Sequence, residues 1–64
     1  MDLEEYPITV KEVKCDKYHI KIEQHYNLYV LEHNGKKLAP VNTLTLALYF
    51  FDKLVDKENK IYNH

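Results

Sequence analysis

At 64 residues the chain has room for a single domain, and a chain this short buries only about 60% of the surface it exposes when unfolded. Apolar residues make up 45% and charged residues 30%, a globular rather than a disordered balance, and a net charge of -1 provides no field for gathering nucleic acid. One cysteine, Cys15, excludes an internal disulfide and a zinc site built on several thiolates of one chain.

Further absences narrow the chemistry. The sequence has no Ser, no Arg and no Trp, and one Gly. That removes a Ser-His-Asp triad, bidentate guanidinium contacts and a Gly-rich phosphate loop. Lys, Asn, Ile and Tyr are abundant while Arg, Gly, Ala and Trp are scarce, the bias of an AT-rich genome, which points to a low-GC bacterium, its phages or plasmids, or an archaeal equivalent. The first residues, Met1 to Glu5, are acidic where a secretory leader is basic, and no apolar run reaches the ~20 residues of a membrane span. A lone thiol fits a reducing compartment. The expected location is therefore cytoplasmic, the host cytoplasm if the chain is phage-encoded, without membrane contact.

Residues 1–6 are expected to be flexible. Ile8-Thr9-Val10-Lys11-Glu12-Val13-Lys14-Cys15 reads as a first strand whose apolar phase changes midway, so a bulge is expected near Lys11-Glu12, with Ile8 and Val10 half-buried. Cys15 at its end reads as a small, partly buried hydrophobe. Asp16-Lys17 suits a turn. Residues 18–23 alternate with Tyr18, Ile20 and Ile22 on one face. Gln24-His25 serves as the next connection, and Tyr26 to His33 as the third strand. There Tyr26, Leu28 and Val30 point one way and Tyr29 and Leu31 the other; the loop length before them decides which set is buried.

Asn34-Gly35 is a type I′ hairpin signal, because both central residues need positive φ. It sets His33 opposite Lys36, Glu32 opposite Lys37 and Leu31 opposite Leu38. The short fourth strand ends at Pro40. Asn42 or Thr43 caps a helix from about Leu44 to Lys57 or Glu58, with Asn59 as C-cap and residues 60–64 as a flexible polar tail. The fold class is α+β: a small antiparallel meander of three to four strands, then one C-terminal helix on the sheet, forming a single domain over residues 1–64.

On a helical wheel Leu44, Ala47, Leu48, Phe51, Leu54 and Val55 form the core stripe, and Thr45, Tyr49, Asp52, Lys53 and Asp56 the wet face. Leu46 and Phe50 widen the apolar arc to roughly 200°, against the ~100° or more of a surface helix. The third strand is apolar on both faces, and one helix covers one face. Leu46, Phe50, Tyr26, Leu28, Val30 and Tyr29 are thus the candidate dimer or partner interface. They predict a homodimer that Phe50→Lys leaves monomeric or unfolded.

The competing chemistries are weaker. His19, His25 and His33 share no ligand spacing and read as surface imidazoles, so no metal or other cofactor is expected. Cys15 lacks a visible oxyanion hole. Tyr18, Tyr26 and Tyr29 near Lys17, Lys21, Lys36 and Lys37 raise single-stranded nucleic acid, but Glu12, Glu23 and Glu32 on the same strands offset the lysines. Residues 42–55, NTLTLALYFFDKLV, after three strands, resemble small sheet-then-helix domains of antitoxins and phage proteins. The likeness covers the element order and one helix start and carries no site residues; the Gly-Pro-rich middle of such antitoxins is missing here.

The expected function is a non-enzymatic interaction protein: a homodimeric phage- or mobile-element inhibitor that blocks a host defence protein. The alternative is a small nucleic-acid-binding or antitoxin-like regulator.

Overall fold

The computed structural model describes residues 7–62, and the expectation of flexible residues 1–6 lies outside them, as does the end of the expected tail at 63–64. The elements are β1 (Ile8–Lys14), β2 (His19–His25), β3 (Leu28–His33), β4 (Lys36–Lys37) and α1 (Leu44–Tyr62). The strands form one antiparallel sheet in the order β1-β2-β3-β4, with α1 packed across one face. This is the expected α+β plan.

The Asn34-Gly35 turn takes φ of 55° and 86°, as a type I′ hairpin requires. His33 pairs with Lys36 and Glu32 with Lys37, and the Leu38 N–H donates to the Leu31 carbonyl at 2.9 Å. Asn34 does more than turn the chain. Its side-chain oxygen accepts from the His19 N–H at 2.9 Å, and its own N–H donates to the His19 carbonyl at 2.7 Å, tying the hairpin to the start of β2.

The connection between β2 and β3 departs from the sequence reading. His25 pairs with Leu28, so the turn residues are Tyr26 and Asn27, and Tyr26 takes a φ of 61°. Tyr26 is thus not a strand residue sharing a face with Leu28 and Val30. The Gln24 side-chain amide donates to the Tyr26 carbonyl at 2.8 Å, supplying locally what a Gly or Asn would otherwise signal. A two-residue turn keeps directly opposed residues on one face, so Ile20 and Ile22 share the helix side with Leu31 and Tyr29. Leu28 and Val30 fall on the open side.

The β-bulge lies between Thr9 and Lys11, slightly earlier than expected. β1 is an edge strand, and Ile8 and Val10 are exposed at 41% and 36% rather than half-buried. Cys15 is exposed too, not a partly buried hydrophobe, because the chain leaves the sheet there for the turn that closes with the Cys15 N–H on the Tyr18 carbonyl.

The core is small: Ile20, Ile22, Leu31, Ala47 and Phe51 are buried, with Val13, Tyr18, Tyr29, Leu38, Val41, Leu48, Leu54 and Val55 packed around them. Thr43 is the N-cap, its hydroxyl accepting from the Leu46 N–H at 3.2 Å. Leu44, expected in the core stripe, is 38% exposed in the first turn. The helix does not end at Asn59. Glu58 lies against His33 and the Asn59 side chain accepts from the Tyr18 hydroxyl at 3.1 Å, so the last turns are held to the sheet and continue to Tyr62.

Candidate functional site

Two surfaces carry side chains that the core does not use. The first is the sheet face opposite the helix. Its pairing brings Glu12, His19, Lys21, Glu23, His25 and Glu32 onto adjacent strands. Lys21 Nζ lies 3.0 Å from Glu23 and 3.8 Å from Glu32, His25 Nε2 lies 3.2 Å from Glu23, and His19 Nε2 contacts Glu12. Glu23, 9% exposed, is the acid beside which Lys21 and His25 lie. The hydrogen bond from Lys21 holds its carboxyl below the ordinary 4.5, against desolvation, with help from His25. The same hydrogen bond, with the surrounding carboxylates, raises Lys21 above 10.5. On this face Lys21 lies between Glu23 and Glu32, each histidine lies beside a carboxylate, and Leu28 and Val30 share the side. No group of three or more His, Cys, Asp or Glu among the described residues is arranged to hold a metal ion.

His33 is not a surface imidazole. It projects to the helix side, where its Nε2 lies 2.6 Å from Oε2 of Glu58, itself 7% exposed. The tyrosines do not form a stacking platform with the lysines. Tyr18 and Tyr29 pack against the core under the helix, while Lys21 is on the opposite face between two glutamates.

The second surface is an apolar groove of about 320 Å³ beside the helix. Phe50, Lys53 and Leu54 of α1 form one wall; Leu38, Ala39, Pro40 and Val41 form the other, and Leu31 lies at the floor. Local hydrogen bonding explains the shape. Leu38 is bonded to Leu31, and Val41 exchanges two 2.8 Å bonds with Tyr29, so the segment is pinned to β3 at both ends. Pro40 has no N–H with which to continue the ladder. The chain therefore stands away from β3 between its pins, and the helix that starts at Leu44 leaves its flank facing the gap.

The six expected interface residues separate. Phe50, 42% exposed, lines the groove, and Leu46, 43% exposed, lies one turn before it on the same flank. Leu28 and Val30 are on the open sheet face, Tyr29 is packed beside Val41, and Tyr26, 71% exposed, is at the hairpin turn. Lys53, Leu54 and the apolar run 38–41 were missed as site residues; the run Leu-Ala-Pro-Val, apolar in a connection where polar residues are usual, is the signal for them.

No family model matches the chain, and no curated protein or solved structure shows significant similarity to it. No helix among the described residues is long and apolar enough to cross a membrane.

Proposed function

We propose that the chain is a non-enzymatic protein-interaction module that engages its partner through the helix flank at Leu46 and Phe50 and the groove beside it. The observation that carries this reading is the groove: Phe50 and Leu54 open onto solvent against a pinned apolar segment, in a domain whose other sheet face sets Lys21 between Glu23 and Glu32. Apolar surface with one convergent charge is the composition of a docking site rather than of acid–base machinery. The action is steric, by occupying a partner's surface. In the finer form that the composition favours, the partner is a host protein and the chain is an inhibitor encoded by a phage or mobile element, working as a homodimer.

The alternative, a nucleic-acid-binding or antitoxin-like regulator, draws on the nine lysines. The ion pairs of Lys21 and the inward Tyr18 and Tyr29 argue against it.

Capture from a lysate of a low-GC bacterium, washed at high salt, tests the reading. A protein retained by the wild type and lost with Phe50→Lys is the expected result. Retention of nucleic acid alone, and at low salt alone, would sink it, because phosphate contacts weaken steeply with salt. Sedimentation of the wild type at tens of micromolar tests the homodimer, which in this reading joins through a surface other than the groove.

A further inference from the structure

We infer that the groove takes a short segment of a partner protein that presents two or three apolar side chains followed by carboxylates. The inference rests on the reading of the groove as a docking surface and adds the chemistry of what docks. Its volume, about 320 Å³, is near the lower end of the ~300–1,000 Å³ typical of binding pockets. That is room for a few side chains, not for a broad protein face. Leu38, Val41, Phe50 and Leu54 offer those side chains an apolar surface.

Charge selects the rest. Lys53 is the charged residue in the groove lining. Its ammonium lies 5.3 Å from the Tyr49 ring, held by an aromatic face rather than by an acid. One turn further, Lys57 borders an adjoining hollow with Lys53, Asp56, Lys60 and Ile61. Asp56 there is 3.7 Å from Lys60, so among the described residues Lys53 and Lys57 have no carboxylate partner. The chain as a whole is at -1, and where its sheet carries Lys11 and Lys21, acids answer them. The helix flank beyond Phe50 is therefore a local cationic stretch continuing directly from an apolar groove. It fits a segment whose anchors are apolar and whose acids lie on the side of the helix C-terminus.

A second copy of the chain fits less well. A two-fold contact places like patch on like patch, so an interface including this flank would gather Lys53, Lys57 and Lys60 from both copies against one acid from each, Asp56.

A displayed library of random short peptides, selected on immobilised full-length protein, tests this. The baits are the wild type, Phe50→Ala and the double variant Lys53→Glu/Lys57→Glu, each checked by circular dichroism and melting to be folded; all three positions are exposed, so the double variant stands if Phe50→Ala does not fold. The expected outcome is enrichment of apolar-acidic sequences on the wild type. Charge reversal should weaken the selected peptide about tenfold or more in Kd and turn the selection toward basic flanks. Apolar sequences without acids, lost with Phe50→Ala, would overturn the charge inference while leaving the docking surface standing. So would concentration-dependent self-association abolished by Phe50→Lys, which would make a second copy the occupant. Binders indifferent to Phe50 and to charge reversal, or no enriched sequence, would overturn the inference and remove support from the docking surface as well.

Discussion

Glu23 and Glu58 are buried acids with different kinds of partner. Among the described residues Glu58 has His33 at hydrogen-bond distance, 2.6 Å away, at the junction of helix and sheet. His33→Ala would leave its carboxylate buried without that partner, a loss of about 1–3 kcal/mol. The expected result is a lower midpoint in urea unfolding, with most of the loss recovered in His33→Leu/Glu58→Leu, since apolar replacement of a buried pair is often neutral. Glu23 is held by Lys21 first and by His25 as well, and its carboxyl titrates below 4.5 in the folded chain. A depressed acid contributes stability that is in place above its unfolded value and is lost as pH falls through its folded one. The urea midpoint should therefore drop as pH falls below about 4.5, and less steeply in Glu23→Gln. Lys21, raised above 10.5, has the opposite sign: its contribution is full below that pH and fades above it.

At the scale of elements, the turns and caps carry the specification. Gly35 has nothing within 4 Å of where a Cβ would sit, yet its φ of 86° is one that side chains resist. Gly35→Ala should cost about 1 kcal/mol or somewhat more through backbone conformation alone, measurable as a lower melting temperature. Thr43→Ala, which removes the cap on the Leu46 N–H, should cost about 1 kcal/mol. The Asn-Gly turn was legible in the sequence, as was the register 33–36, 32–37 and 31–38, and the cap was narrowed to Asn42 or Thr43, because such signals act within a few residues. The Tyr26-Asn27 turn was not legible, since its support is the Gln24 side chain and not the turn residue itself. The helix end was misplaced for a related reason. Asn59 is a good C-cap in isolation, and it is a contact from Tyr18, 41 residues away in sequence, that employs its side chain here. Of the candidate site, the flank Leu46 and Phe50 followed from helical period. The opposing wall depended on how residues 38–41 are pinned to β3, a long-range fact.

For the molecule as a whole, one helix covers one face and the other carries the Lys21 ion pairs to Glu23 and Glu32 beside Leu28 and Val30. That arrangement leaves the groove between the helix flank and residues 38–41 as an apolar surface open to solvent. The outer edge of β1 is a different matter. It presents a row of backbone donors and acceptors to solvent, as any terminal strand does, but along a line broken between Thr9 and Lys11 and studded with Lys11, Glu12 and Lys14. A bent, charged rim is a poor template for the rim of another molecule. Removing Val10 would straighten that line, and replacing Lys11 and Glu12 with Thr would strip its charge. The combined variant should convert on incubation into fibres that bind thioflavin, while the native chain stays clear. The irregularity in β1 thus sets a stop to strand-by-strand growth from that edge.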